Sequence, residues 1–322
     1  MVRATQIGDT VQNPATPPRP PGDPSASRVV LPADVAWTGL LTAHMRAVES
    51  RREDRLFEDP LARQIADLVR GAIRTDPDVA LPTGPDDVAE LTEAWYMLAT
   101  YIGVRTRYYD ERVRAAATAG IRQVVILAAG FDSRAIRLDL PADTAVYEVD
   151  TEPVLRFKES VLHDSHLEPT CARRPVAADL RGAWTTPLRA AGFDPGQPTM
   201  WLIEGLLMYL AAQDCEHLLA DLTPLSAPGS RLALEYFESN PRADDVTTID
   251  ATERAVIDRI VGFFQTGPAL PPDRWLGAHS WTPDTTTLLD QITGRGRRVP
   301  EMFQKGRPHE VNLWLAHGEL GT

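Results

Sequence analysis

The sequence lacks the features of secreted, redox-active and membrane proteins. Its 322 residues include only two cysteines, Cys171 and Cys215, which lie 44 residues apart with no CxxC spacing. This pattern predicts ordinary reduced thiols and neither a disulfide nor a redox motif. No apolar run reaches the roughly 18 residues of a membrane span, and the N-terminus has no apolar core of a signal peptide. We therefore expect a cytoplasmic protein without a membrane partner.

Positive charge and metal-ligand patterns are scarce as well. The 33 Lys and Arg residues stand against 45 Asp and Glu, a formal net charge of −12. Nucleic-acid binding needs a basic face that neutralises phosphates, so no nucleic-acid partner is predicted. His163 and His166 are three residues apart but have no neighbouring ligand set, and we expect no metal. The missing G-x-S-x-G motif argues against a serine hydrolase.

Short apolar runs separated by helix-compatible segments predict the fold class. The runs cover residues 124–129, 145–149, 175–178, 200–203 and 231–236. Continuous apolar strands are buried on both faces, and helices between them imply parallel crossovers. The sequence therefore predicts a doubly wound, mostly parallel α/β sheet, which binds its ligands at the carboxyl ends of the strands.

Carboxylates follow three of the predicted strands, and one glycine follows the first. Gly130 ends the first run, and Asp150, Asp179 and Glu204 end the next three. Any one of these residues is explained by a turn or a helix cap. Together they predict a crevice for ribose and adenine, as in NAD and S-adenosylmethionine (SAM) sites. The G-x-G-x-x-G pattern of a dinucleotide site is absent, since bulky Phe131 follows the single glycine, and this favours SAM.

Six segments in order resemble a known family. They are R-A-V-E-S-R-R-E-D-R-L-F-E-D-P-L-A (46–62), V-R-T-R-Y-Y-D (104–110), V-V-I-L-A-A-G-F-D-S-R (124–134), Y-E-V-D (147–150), A-D-L (178–180) and I-E-G-L-L-M-Y-L (203–210). Over residues 34–240 the chain resembles the actinobacterial SAM-dependent methyltransferases related to leucine carboxyl methyltransferase. The resemblance implies a class I methyltransferase-like fold, SAM as the cofactor and methyl transfer as the activity.

The resemblance also assigns roles around the nucleoside of the cofactor. It implies that Gly130 lines the cofactor, that Asp150 binds the ribose, and that Asp179 and Leu180 bind the adenine. One departure is visible here, because Ala128 stands where the family usually has the first glycine of G-A-G. An alanine fits this position if its φ is negative.

The methionyl end of the cofactor is assigned in the same way. By the resemblance, Arg105 pairs with the methionyl carboxylate, which a bidentate guanidinium suits, and Glu204 approaches the amino group. Arg107 is expected to be solvated or paired with Glu111. Tyr209 is the only candidate for a catalytic group, a weak one, since packing or cofactor contact also explains it.

The domain organisation follows the same patterns. Residues 1–30, with P-A-T-P-P-R-P-P-G-D-P, predict a disordered Pro-rich leader. Residues 31–322 are expected to form a single methyltransferase domain. Its predicted parts are a helical cap (31–120), a cofactor-binding core (121–238), a lid inserted after the fifth strand (239–280) and closing strands (281–322).

The predicted function is O-methylation of a carboxylate on a small molecule, polyketide-like, or on a peptide. A carboxylate is already ionised at pH 7 and needs no general base, and no residue is positioned by the sequence as a base. Two alternatives remain open: a non-catalytic SAM-binding protein, to which Ala128 points, and an NAD(P)-dependent oxidoreductase, against which the missing glycines count. The sequence predicts neither the acceptor nor an oligomeric state.

Overall fold

The computed structural model describes residues 35–75, 84–246 and 250–321. The predicted leader lies outside these residues. The described chain begins with three helices, α1 (Val35–Arg51), α2 (Pro60–Thr75) and α3 (Glu93–Thr118). A 3-10 turn at Val88–Glu90 precedes α3, and no strand occurs among the described residues before 123. The chain before the first strand is therefore helical, as predicted, and we call α1 to α3 the helical block.

Helix α2 shows why this part of the chain is helical. The Asp59 side chain accepts a hydrogen bond from the Ala62 amide at 2.9 Å, and Pro60 occupies the first helical position. This pair satisfies one orphan amide and presets the helical φ. The apolar stripe that follows packs inward, with Leu61 and Ile65 fully buried.

Seven strands form one mixed sheet with the order β3-β2-β1-β4-β5-β7-β6. Strand β7 is antiparallel to both of its neighbours, and the pairs among β1 to β5 are parallel. The predicted doubly wound, mostly parallel sheet is thus confirmed. The strands are β1 (Gln123–Leu127), β2 (Ala145–Asp150), β3 (Ala172–Ala177), β4 (Thr199–Ile203), β5 (Arg231–Phe237), β6 (Trp281–Thr287) and β7 (Leu313–Leu320).

Helices cover both faces of this sheet. Residues of β1 alternate between two apolar clusters: Val124 and Ile126 pack with the α3 residues, and Val125 and Leu127 pack on the opposite face. This alternation follows from the two-residue period of a strand. The remaining helices are α4 (Arg134–Arg137), α5 (Glu152–Ser165), α6 (Thr185–Ala190), α7 (Ala212–Leu222), α8 (Ala251–Gly262), α9 (Pro272–Ala278) and α10 (Leu288–Gly294).

The strand register identifies the edge of the sheet at the carboxyl ends of the parallel strands as the candidate site. Strand β1 lies between β2 and β4, and its last residue, Leu127, pairs with both Val149 and Ile203. The order of connections reverses at β1, and ligands of doubly wound sheets bind at such a switch point. The carboxyl ends of β1, β2 and β4 therefore meet at one crevice.

The boundaries differ from the predicted runs in physically simple ways. The first strand ends at Leu127 and not at 129, because the backbone turns at Ala128 with a positive φ. Strand β6 was not predicted individually, since W-T-P-D-T-T-T has no continuous apolar run. The segment 239–280 contains a 3-10 turn, α8 and α9. Within the described ranges, no helix has the length and apolar character needed to span a membrane.

Candidate cofactor-binding site

The turn after β1 joins two of the predicted site residues. Gly130 has φ +49, and its amide donates a hydrogen bond to the Asp150 carboxylate at 2.7 Å. A Cβ added at Gly130 would meet nothing nearer than the Ala128 carbonyl oxygen at 4.0 Å. The turn is therefore open at Gly130, and the glycine is needed for its left-handed backbone.

The backbone of Ala128 does not have the negative φ that was expected for an alanine at this position. Its φ is +52 and not negative, so an L-residue occupies the left-handed region in the turn that faces the crevice. The clash of Cβ with the following carbonyl costs roughly 1–2 kcal/mol in this region. The turn therefore carries strain that a glycine at this position would not.

Asp150 is held at the end of β2 by several donors. Its second oxygen accepts bonds from the Thr151 amide at 2.6 Å and from the Thr151 hydroxyl at 3.3 Å. Burial raises the pKa of the Asp150 carboxyl, and the bonds from Gly130 and Thr151 oppose that rise. A carboxylate has about four lone-pair sites. One site of Asp150 is therefore open, and displacing the long bond from the Thr151 hydroxyl would open a second.

Asp179 and Leu180 follow β3 on the same edge as Asp150. The two strand ends are joined directly, because the Ala178 amide donates to the Asp150 carbonyl oxygen at 2.9 Å. The Asp179 side chain is 52 % exposed and accepts two bonds from Arg181, at 3.0 and 2.7 Å. These bonds lower the pKa of Asp179 to about 2. Leu180 is half-buried against the apolar cluster of this face.

Arg105 reaches the end of β4 from the middle of α3. Its Nε donates to Glu204 at 3.0 Å, and its Nη1 donates to the Tyr101 hydroxyl at 2.9 Å. Within the described chain, no hydrogen bond uses Nη2. Gly205, with φ +66, lets the guanidinium lie close, since a Cβ there would be 3.3 Å from Nη1. The structure thus brings Arg105 and Glu204 together at the crevice. Arg107 pairs with Glu111 at 2.8 Å, as expected.

Tyr209 lies in a 3-10 turn (Leu207–Tyr209) after β4. Its ring packs edge-on against Phe264 with centroids 5.3 Å apart, and its hydroxyl hydrogen-bonds the Thr38 side chain. Burial raises the pKa of the Tyr209 hydroxyl, which opposes its use as a base. The geometry supports packing for Tyr209 and leaves its weak catalytic candidacy without support.

A chain of buried charges behind the crevice escaped the sequence analysis. We use the name charge network for the side chains between α1 and β5 that are joined by ion pairs no longer than 4.0 Å. Glu204 pairs with Arg134 at 2.7 Å, and Arg134 pairs with Asp110 at 2.9 Å and with Asp132. The members are Arg46, Asp59, Arg105, Asp110, Asp132, Arg134, Arg137, Glu204 and Glu235.

The charge network ties the helical block to the turn after β1. Arg46 of α1 donates to Asp59 at 2.9 Å and to the Phe131 carbonyl at 2.7 Å. The Ser133 hydroxyl donates to Asp59 at 2.7 Å, so Ser133 does not cap α4. Sequence signals for these partners existed, because they lie in the same charged segments that carry the family resemblance.

The donors and acceptors of the crevice fit SAM. Arg105 Nη2 has no partner in the described chain and suits a carboxylate. The acids at the ends of β2 and β3 suit hydroxyl and amino donors, and the left-handed Gly130 leaves room beside the turn. In the part of the chain that the structure describes, no group of three or more metal-ligating side chains occurs.

Comparisons with known proteins agree with this geometry. A profile of the family described as leucine carboxyl methyltransferase matches residues 39–223. A Parafrankia sp. (strain EAN1pec) protein, which its name assigns to the SAM-dependent methyltransferases, is 41% identical over 81% of this chain and 82% of its own. A Mycobacteroides abscessus protein with the same assignment is 41% identical over 85% of this chain and 92% of its own.

A solved structure supports the fold. It is that of a Thermobifida fusca protein named as a methyltransferase, which matches with a TM-score of 0.51 at 17% identity. The match covers 88% of this chain and 95% of that one. At this identity the likeness concerns the fold alone, and it agrees with the mixed seven-stranded sheet.

Proposed function

Because this chain belongs to the leucine carboxyl methyltransferase family and is a SAM-dependent methyltransferase, we propose that it methylates a carboxylate oxygen of a small molecule or peptide. The observation that carries this proposal is that, among the described residues, the titratable groups at the methionyl end of the crevice are engaged in other contacts. Bound SAM would supply a methyl group on a cationic sulfur. An oxygen that is already negative would bond to the methyl carbon and displace the sulfur as a neutral thioether, with no proton transfer.

The titratable groups near Arg105 are engaged in other contacts. Glu204 accepts bonds from two arginines, Arg105 and Arg134. Glu235 is fully buried and its two oxygens accept bonds from the Gly205 amide and the Tyr109 hydroxyl, so it does not reach an acceptor. The Tyr209 hydroxyl is bonded to Thr38. A phenol or alcohol acceptor would need one of these groups to take its proton. An acceptor that arrives ionised needs none, which favours a carboxylate.

The methionyl half of the cofactor is proposed to contact α3 and β4. Arg105 Nη2 would donate to the methionyl carboxylate, with Nε and Nη1 fixed by Glu204 and Tyr101. Since those two bonds hold the guanidinium plane, Arg105 would meet the carboxylate without losing much rotamer freedom. Glu204 would lie beside the amino group.

The nucleoside half is proposed to lie across the ends of β1, β2 and β3. Gly130 would line the cofactor, and Asp150 would accept the ribose hydroxyls. Asp179 and Leu180 would meet the adenine, with Arg181 releasing one Asp179 oxygen. The register supports this proposal, because the Asp150 carbonyl and the Ala178 amide are bonded at 2.9 Å.

The acceptor is proposed to enter beneath the segment 239–280, acting as a lid. Aromatic rings from four parts of the chain meet here: Tyr101 of α3, Tyr209 after β4, Phe237 of β5 and Phe264 after α8. Neighbouring ring centroids lie 6.3, 5.8 and 5.3 Å apart. We propose that this aromatic cluster lines the path of the acceptor, which favours an acceptor with an apolar body, as in a polyketide-like acid.

The stability of the methylated product to alkali tests the proposal. The purified protein is incubated with methyl-labelled SAM and matched pairs of apolar carboxylic acids and phenols, and the products are then treated with mild alkali. A methyl ester releases its label as volatile methanol, whereas a methyl ether retains it. We expect volatile label from acids only. Alkali-stable label on the phenols would show instead that a base assists the reaction.

A further inference from the structure

The charge network has an excess of negative charge. It contains four arginines and five carboxylates, so its formal charge is −1 when every member is ionised. Nearly all of these side chains are buried, and Asp59, Asp110 and Glu235 are completely so. A buried charge without a partner is costly. Buried Lys158 acts on Asp132, four ion pairs away from Glu235, and is itself paired with Glu148. At the Glu235 end, the network is therefore balanced when one carboxylate is protonated or when one further cation lies near.

Glu235 is the member placed to carry the proton. One of its oxygens accepts the Gly205 amide at 2.6 Å and lies 3.4 Å from Arg105 Nη1. Its other oxygen contacts the Tyr109 hydroxyl. Its only ion pair is this longer one to Arg105, whereas Asp59, Asp110 and Glu204 each pair with two arginines. Asp132 also has one arginine partner, Arg134, but the charges of Lys158 and Arg137 act on it as well. Glu235 is thus the least neutralised carboxylate of the network.

The surrounding hydrogen bonds accommodate both states of Glu235. The Tyr109 hydroxyl lies 2.9 Å from the Ile203 carbonyl oxygen as well as against Glu235. When Glu235 is ionised, the tyrosine proton points to it. When Glu235 is protonated, it donates to the Tyr109 oxygen and the tyrosine proton turns to Ile203. Neither state leaves a proton without an acceptor in this group.

We propose that Glu235 lets the site distinguish SAM from its product S-adenosylhomocysteine (SAH). Ionised Glu235 holds a negative charge that complements the sulfonium of SAM, and Glu235 takes up a proton when the sulfonium is gone. SAM has one positive charge more than SAH, because methyl transfer converts the sulfonium into a neutral thioether. The acceptor carboxylate loses its negative charge in the same step. This inference rests on SAM as the cofactor and on its proposed contact with Arg105, which bonds the same Glu235.

The electrostatics of Glu235 agree with this role. Burial, together with the charge of Glu204, raises the pKa of its carboxyl to about 7, against the opposing effects of Arg105, the Tyr109 hydroxyl and the Gly205 amide. The other titratable groups whose charges interact with Glu235 are Tyr101, Tyr108 and Tyr209. Near neutral pH, Glu235 of the ligand-free protein is therefore divided between its two states.

The proposal fixes the direction in which SAM binding depends on pH. A cation that favours ionised Glu235 lowers its pKa on binding, so below pH 7 SAM has to displace a proton. SAH has no such requirement. By linkage, the ratio of the dissociation constants of SAM and SAH rises about tenfold between pH 8 and pH 6. The discrimination in favour of SAM is thus largest in the alkaline range.

Titration calorimetry on the full chain tests this inference. SAM and SAH are titrated from pH 6 to 8.5 into the parent, Glu235→Gln and Glu238→Gln proteins, the last being an exposed glutamate after the same strand. Repeating the titrations in two buffers of different ionisation enthalpy gives the protons released. We expect release with SAM and none with SAH near pH 6.5 in the parent and Glu238→Gln. Glu235→Gln should show a ratio about tenfold less favourable to SAM at pH 8 and independent of pH.

The possible results distinguish an error in the role of Glu235 from an error in the proposed cofactor contacts. A ratio that does not vary with pH in the parent, or varies equally in Glu235→Gln, overturns the role of Glu235. Binding of neither ligand to the parent would instead overturn the cofactor contacts. The amide mimics the protonated state, so ligand-free Glu235→Gln should melt above the parent at pH 8. This difference should shrink as the pH falls through 7 and vanish only below the ordinary glutamate pKa of about 4.5. If the variant does not fold, the two-buffer titration of the parent still decides.

Discussion

Arg105 links the helical block to the cofactor crevice through a guanidinium that is fixed on two sides. At the scale of this residue we predict that Arg105→Ala weakens SAH binding about 10- to 150-fold, the roughly 1.5–3 kcal/mol of a charged hydrogen bond. Arg105→Lys keeps the charge but loses the planar fork, so its loss should be smaller. Calorimetry with SAH measures both.

The control is methylthioadenosine, which has no methionyl carboxylate. Its binding should change little in either variant, because the nucleoside half contacts Gly130, Asp150 and Asp179 in our proposal. Equal losses for both ligands would indicate that removing Arg105 disturbs the charge network. No loss for either would mean that Arg105 has only its contacts to Glu204 and Tyr101.

Residues at strand ends were predictable, and residues inside elements were not. Gly130, Asp150 and Glu204 each interrupt an apolar run, so the sequence marks them. Glu235 lies within R-L-A-L-E-Y-F, where the pattern shows a buried strand and no indication of which neighbours face its one carboxylate. Its partner Tyr109 lies 126 positions earlier in the chain, a pairing that only the packing of α3 on β5 creates.

At the scale of elements, Asp59 joins α1, α2 and the turn after β1. It caps α2 and accepts bonds from Arg46 and Ser133. We predict that Asp59→Ala lowers the free energy of unfolding by about 3–5 kcal/mol, because it leaves buried Arg46 without its ion-pair partner and removes one of the two partners of Arg137. Urea unfolding followed by circular dichroism measures the change.

Asp87 provides the matched control for this prediction. It caps the 3-10 turn at Val88–Glu90 through the Ala89 amide at 2.9 Å, but its side chain is exposed and joins no buried ion pair. Asp87→Ala should therefore cost only the roughly 1 kcal/mol of a lost cap. Similar losses in the two variants would mean that Asp59 acts as a cap alone.

Elements with regular periodicity were predicted better than elements formed by tertiary pairing. The first five strands overlap the predicted apolar runs, although β3 (A-R-R-P-V-A) begins three residues before its run, and α2 starts at an Asp-Pro pair. Strand β6 has polar residues and a proline, and it is a strand because β7 pairs along its whole length, from Trp281 with Leu320 to Thr287 with Trp314. Local sequence holds no signal for such an edge strand.

At the scale of the whole molecule, the sheet order brings the carboxyl ends of β1, β2, β3 and β4, which are distant in sequence, to one edge of the sheet. The general architecture followed from the alternation of strands and helices, since parallel crossovers leave few topologies. The order of β5, β7 and β6 did not, because the chain reaches β7 only after β6 and then inserts between the two strands. The position of the crevice at the ends of β1, β2 and β4 was nevertheless predictable, as it depends only on β1 and its neighbours. That the cofactor lies in this crevice stays a prediction.

The last prediction concerns the stability of the whole molecule with its ligand. Binding to the folded state alone raises the free energy of unfolding, by about 2.7 kcal/mol at a ligand concentration of 100 dissociation constants. We expect SAH to raise the melting temperature by several degrees and NAD to leave it unchanged, because the turn after β1 has no second glycine for a pyrophosphate. Asp150→Ala should lose most of the SAH shift while keeping its own melting temperature within a few degrees of the parent. Scanning calorimetry of both proteins measures these shifts. A shift with NAD alone would contradict the cofactor assignment, and an undiminished SAH shift in Asp150→Ala would place the ribose elsewhere.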